Sequence, residues 1–165
     1  MITLIDYGLG NIQAFMHIFK QLNLPCRKAS SAEELAGSTK LILPGVGAFD
    51  WAMERLKNSG MRASLDDLVL NQGVHVLGVC VGMQMMANRS EEGEVPGLGW
   101  IDAEVVRFQL AQVSHAPLPH MGWNDVNFLR EDPLFVGISS PRFYFLHSYH
   151  FLAHHDSQIL ATTDY

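Results

Sequence analysis

The chain has 165 residues, 17 acidic against 11 basic, a formal net charge of −6 and only two cysteines. That length fits one domain able to bury a core without disulfide or metal staples, and the acidic balance excludes a basic nucleic-acid face and a polybasic membrane anchor. The opening run Met1 to Ile5 is interrupted by Asp6 and Gly8 with no basic leader, no apolar run spans a bilayer, and Cys26 and Cys80 form no disulfide framework, so a reducing cytoplasm is the expected setting.

Ile2 to Asp6 is a short apolar run ended by Tyr7-Gly8-Leu9-Gly10, which predicts a buried strand entering a tight turn. Asn11 is a good N-cap, and Ile12, Phe15, Met16, Phe19 and Leu22 then recur at helical spacing until Pro25. Ser31 and Glu34 stand at capping-box spacing for a second, short helix. Lys40 to Leu43 gives another apolar strand, running into Pro44-Gly45-Val46-Gly47, and helical patterning resumes from Phe49 to about Leu70. After the Gln72-Gly73 break, Val74 to Val79 reads as a third buried strand and the Met-rich Val81 to Asn88 as a helix. Strand alternating with helix three times predicts an α/β fold, an open and mostly parallel sheet with helices on both faces.

The second half changes character. Ile101 to Phe108, Val126 to Leu129, Arg142 to Leu146 and Ile159 to Thr163 are short β-like stretches separated by Pro and Gly, which predicts an added antiparallel part attached to the open sheet. No repeat, low-complexity tract or linker divides the chain, so residues 1–165 are expected to form one domain.

The strongest chemical signal is Gly78-Val79-Cys80-Val81-Gly82, placed where a buried strand turns into a helix, the form of a nucleophile elbow with cysteine for serine. Small residues two before and two after the nucleophile let strand and helix approach while the thiol projects from a strained turn. There the helix N-terminus favours thiolate and the amide of Val81 can face a developing oxyanion, which suits acyl transfer. The local pattern also fits a buried, inert cysteine, and Cys26 has no context beyond that. Gly45, Val46 and Gly47 follow a strand and are a candidate second oxyanion donor, although glycine there also serves as plain turn punctuation. Gly8-Leu9-Gly10-Asn11 lacks the third glycine of a dinucleotide fingerprint.

A cysteine nucleophile wants a base, and eight histidines are available. His17 reads as a surface residue and His75 as packed in a buried strand. His150, His154, His155 and Asp156 lack a second spaced pair to complete a metal site, so no metal and no cofactor are expected. Spacing marks neither His120 nor His147 as the base.

With these motifs in place the chain resembles class I, triad-type glutamine amidotransferases, and within them the glutaminase subunits of imidazole glycerol phosphate synthases. The resemblance is carried by Ile5 to Asn11, Leu43 to Phe49, Gly78 to Gln84, Ser90 to Gly93, Pro96 to Trp100, Pro119 to Asn124 and Phe143 to Tyr149, and it runs on to Thr162-Thr163-Asp164-Tyr165. It implies that Cys80 attacks the side-chain amide of glutamine, releasing ammonia and leaving a glutamyl thioester for water to hydrolyse. It further implies that Gly47, Gln84 and Ser148-Tyr149 hold the glutamine, that Val81 and the Gly45 to Gly47 loop serve the oxyanion, and that ammonia passes to a (β/α)8-barrel synthase subunit as heterodimer partner, faced by Pro119 to Asn124 and the Gly8 to Asn11 turn.

Two departures accompany it. The family's triad histidine and glutamate lie in a His-Pro-Glu segment beyond a final pair of strands, and these 165 residues hold no such segment. The domain is therefore expected to be C-terminally incomplete, with late strands uncovered and little glutaminase activity on its own. Val81 stands where leucine is usual, and Gly97 to Asp102 is similar to paralogues that feed ammonia to surface-polysaccharide sugar amidation, an alternative acceptor. A non-catalytic binding subunit, and a thiol hydrolase using His147, are the other readings.

Overall fold

A computed structural model gives the fold and describes residues 1–109 and 117–165. Strands β1 (Ile2–Ile5), β2 (Cys26–Ala29), β3 (Lys40–Gly45) and β4 (His75–Cys80) form one parallel sheet in the order β2-β1-β3-β4. The side-chain period of two sorts its apolar residues onto two faces. Leu4 and Ile42 point to one face, where α1 (Ile12–Gln21) lays Ile12, Phe15, Met16 and Phe19 against them. Ile5, Leu41 and Leu43 point to the other, against Phe49, Ala52, Met53 and Leu56 of α2 (Phe49–Asn58) and Leu65 of α3 (Arg62–Asp66). Both faces of the open sheet are thus covered by helices, as the alternation of strand and helix predicts.

Several expected elements change in extent. Asn11 caps α1 as expected, its Oδ1 accepting from the Ala14 amide at 3.1 Å. Leu22 lies outside the buried face and is exposed. The Ser31–Glu34 pairing is shifted: the Glu34 amide donates to Ser31 Oγ at 3.4 Å, while the Glu34 carboxylate reaches back to the Ser30 amide at 2.6 Å, and the element is a single 3-10 turn, Glu33–Leu35. The helix expected from Phe49 to Leu70 is broken at Ser59-Gly60, where Gly60 takes φ +73°; α3 follows and widens into a π-helical turn, Asp67–Asn71. The edge strand β2 answers to no apolar run.

The sharpest correction concerns His75. β4 is an apolar run and reads as buried on both faces, yet it is the edge of the sheet among the described residues, and both His75 and Leu77 are exposed.

The remaining strands among the described residues form three small sheets. β5 (Arg89–Ser90) pairs in parallel with β6 (Ala103–Arg107), which pairs antiparallel with β10 (Tyr149–Ala153). β7 (His120–Asp125) pairs antiparallel with β9 (Arg142–His147), and β8 (Asn127–Phe128) with β11 (Ala161–Thr162). The antiparallel part exists as expected, although among the described residues it stands beside the parallel sheet and adds no strand to it.

Candidate active site

β4 ends at Cys80, and the chain turns there into α4 (Val81–Gln84). Cys80 takes φ 57° and ψ −126°, a region that L residues avoid at a cost of about 1–3 kcal/mol. The flanking glycines show why the turn closes. A Cβ on Gly78 would run into the Met83 backbone, and one on Gly82 would run into the Leu43 carbonyl, so both positions must be bare for α4 to lie against β3 and β4. The thiol that results is exposed and unbridged, which removes the buried-cysteine reading. One expectation weakens: α4 is a single turn, not the helix to Asn88, so its dipole adds little, and the local contribution comes from the amide of Val81, which no intrahelical carbonyl occupies.

The parallel register sets the candidate oxyanion loop beside the thiol, because Gly45 of β3 pairs with Cys80 of β4. Gly45 is buried against Val81 and the Gly82 amide, while Val46 and Gly47 are exposed, Gly47 with φ +88°. The far end of the loop is also anchored, since the Phe49 amide that starts α2 donates to Glu92 at 2.9 Å, and Asp50 in return accepts from the amides of Glu94 and Val95. Glu92 and Asp50 carry no expected role from spacing; the two ties become visible only in three dimensions.

Gln84 lies one turn after Cys80, and its Nε2 donates to the Tyr149 carbonyl at 3.2 Å, bringing the Ser148-Tyr149 segment to the same end of α4. The same carbonyl lies 2.8 Å from His147 Nδ1. A carbonyl only accepts, so the His147 proton sits on Nδ1 and Nε2 presents a lone pair. Burial holds this imidazole below its ordinary pKa, the Tyr149 contact opposing and His150 reinforcing that shift.

The other sequence candidates separate. His17 is exposed on α1. Cys26 is half-buried, with Sγ 3.5 Å from Met16 Sδ. His150 stacks on Phe108 with ring centroids 4.6 Å apart, while His154 and His155 turn to Asp102 at 2.9 and 3.4 Å. The hydrogen bond from His154 and a second from Asn88 hold the Asp102 carboxyl below its usual range. Asp156 opens a separate 3-10 turn. Among the described residues no group of three or more His, Cys, Asp or Glu is arranged to hold a metal ion.

His120 is buried in β7. The Asn124 amide nitrogen donates to the Asp164 carbonyl at 2.7 Å, which fixes its orientation, and lies 3.1 Å from His120 Nε2. Nε2 therefore accepts and the proton lies on Nδ1, which has no partner among the described residues.

Residues 3–164 match the family described as glutamine amidotransferase class-I. The chain is 52% identical to the imidazole glycerol phosphate synthase subunit HisH of Bdellovibrio bacteriovorus, over all of this chain and 82% of that protein. It is 45% identical to the subunit HisH of Leptospira interrogans, again over all of this chain and 82% of the relative, and 43% identical to a subunit HisH 2 of Pseudomonas aeruginosa, over all of this chain and 81% of the relative. A solved structure titled as a glutamine amidotransferase shares the fold, with a TM-score of 0.73 at 19% identity over 97% of this chain and 78% of that one.

Proposed function

We propose, on the premise that this chain belongs to the class-I glutamine amidotransferase family with the HisH subunits as its relatives, that it releases ammonia from glutamine through Cys80 and passes it to a (β/α)8-barrel synthase subunit making imidazole glycerol phosphate in histidine biosynthesis. The observation that carries the reading is the strained, exposed Cys80 with Gly45 as its register partner. In this scheme Cys80 Sγ bonds to the side-chain amide carbon of glutamine. The oxyanion that forms is met by the Val81 amide and the Gly45 to Gly47 loop, and the C–N bond breaks to release ammonia. Water then cleaves the thioester. Gly47, Gln84, Ser148 and Tyr149 hold the substrate, a role supported by the Gln84 contact to Tyr149. The general base is assigned to no residue of this chain. Free cysteines, and the absence among the described residues of a helix long and apolar enough to cross a membrane, suit work in the cytoplasm as one domain.

The docking face for the synthase is the outward side of the β7–β9 ribbon. Its register places Met121 opposite Leu146 and Trp123 opposite Tyr144, so these four side chains share one face, and each is more than half exposed. Pro119 to Asn124 is the segment the resemblance assigns to the partner, and an apolar stripe of this kind is what a heterodimer interface covers. The relatives named as synthase subunits favour this acceptor over sugar amidation.

Ammonia release from glutamine, measured with and without a barrel synthase subunit, tests the reading. The expected result is partner-stimulated release from the chain joined to the C-terminal segment of a HisH relative, lowered about 10⁴-fold or more by Cys80→Ala. No release, either from this chain or from it joined to the C-terminal segment of a HisH relative, overturns it.

A further inference from the structure

Tyr7 takes no step in this scheme, yet it is buried under the loop that does, at 2% exposure. Backbone pairing between β1 and β3 ends at Leu4 and Ile42, two residues short of Pro44. Beyond that point a side chain joins the two strands: the Tyr7 hydroxyl donates to the Pro44 carbonyl at 2.8 Å. A phenol has one proton to give, so Met85 Sδ, at 3.5 Å, is a neighbour and not a competitor for it. A Cβ on Gly45 would come within 3.0 Å of the same hydroxyl, which therefore lies against the first residue of the loop. From the other side the Pro44 ring is backed by Gly10, where a Cβ would meet Pro44 Cβ at 2.8 Å.

The peptide plane turns this contact into geometry. The carbonyl of Pro44 and the N–H of Gly45 belong to one rigid plane and point in opposite directions, so fixing the first fixes the second. We infer that Tyr7 is a positioning residue of the glutaminase site, its hydroxyl locking the Pro44–Gly45 peptide so that the amides from Gly45 to Gly47 are aimed at the oxyanion formed on Cys80. Burial, and then the charge of Cys80, raise the phenol above its ordinary pKa, which keeps it protonated, and so a donor, at neutral pH. The inference rests on the glutaminase reading for what the loop does; the contact itself does not.

The test compares two alkylations of Cys80 in this chain and in Tyr7→Phe, which keeps the ring and removes the donor. One reagent is a glutamine analogue bearing a γ-diazoketone, whose reaction passes through an oxyanion; the other is iodoacetamide, whose reaction does not. The expected result is a drop of about tenfold in the analogue-to-iodoacetamide rate ratio, with the analogue's half-saturation concentration unchanged. A purely structural role would slow both reagents alike or shift the half-saturation. An unchanged ratio in folded Tyr7→Phe overturns the inference. Failure of the analogue to label the unsubstituted chain, alone or joined to the C-terminal segment of a HisH relative, while iodoacetamide modifies Cys80 instead sinks the glutaminase reading, and the inference with it. Should Tyr7→Phe not fold, the unsubstituted chain decides by NMR. A Tyr7 hydroxyl proton in slow exchange, with cross-relaxation to Pro44 and Gly45, supports the lock; one exchanging as fast as an exposed phenol overturns it.

Discussion

The two halves of the chain solve different problems. Every buried apolar residue among the described residues lies at or before Val105. Past it, among the described residues, only His120 is buried, and most strands pair in two-stranded ribbons, an arrangement with marginal stability of its own. The first half therefore owns a core and uses it to hold the elbow, the oxyanion loop and Tyr7 in register. The second half owns surface: its ribbon carries Met121, Trp123, Tyr144 and Leu146 outward, while β10 leans on β6 and, through Tyr149, on α4. Rigidity for chemistry and exposure for association are divided along the sequence.

The contrast is open to attack on both sides. Leu56→Ala, in the core of the first half, is expected to cost about 2–5 kcal/mol of stability, read as a lower denaturant midpoint at unchanged slope. Trp123→Ala in the second half should move stability by no more than about 0.5 kcal/mol and weaken synthase binding by about 2 kcal/mol, roughly thirtyfold, in calorimetric titration. If the two substitutions have equal effects on stability, the division fails. At the elbow, Cys80→Gly should raise stability by about 1 kcal/mol while removing the nucleophile, because glycine accepts a φ of 57° without strain.

The smallest effect concerns pH. His147 is held below its ordinary pKa mainly by burial, and His120 by burial and then by His147. Unfolded histidines bind a proton near about 6.5 where these folded ones do not, so unfolding takes up protons below that pH. The stability is fully present above about 6.5 and is lost as pH falls from there through the lowered folded values. Melting temperature should decline over that window, and His147→Gln should flatten the slope. An unaltered slope would show that the second half does not bury its histidines in solution.

How much of this was readable beforehand follows the same division. β1, β3 and β4 announce themselves as apolar runs because a parallel sheet buries both faces, and the elbow is legible because only small residues at 78 and 82 let strand and helix touch. β2 was invisible: Cys26-Arg27-Lys28-Ala29 is a charged edge strand, and its pairing depends on β1, not on its own composition. His75 was misread for the converse reason, since an apolar run does not say which of its flanks lies at an edge. β7 escaped because its apolar residues Met121 and Trp123 alternate outward to the surface, the reverse of a half-buried strand, and β10 because Tyr-His-Phe-Leu-Ala carries no apolar–polar period of two. Tyr7 stood inside a recognised motif, yet its hydroxyl has a role only where the ladder between β1 and β3 gives out, which is a fact of register and not of spacing.

The exposed flank of β4 has one more consequence. A strand edge works as a ruler: its donors and acceptors repeat every second residue, and a partner that slips by one residue turns its side chains to the opposite face. Since Cys80 is the last graduation on this ruler, any segment that pairs along His75 to Cys80 has its distance from the thiol set in whole steps of the ladder. A group carried by that segment would be delivered to the sulfur by backbone hydrogen bonds alone, with no side-chain contact needed to guide it.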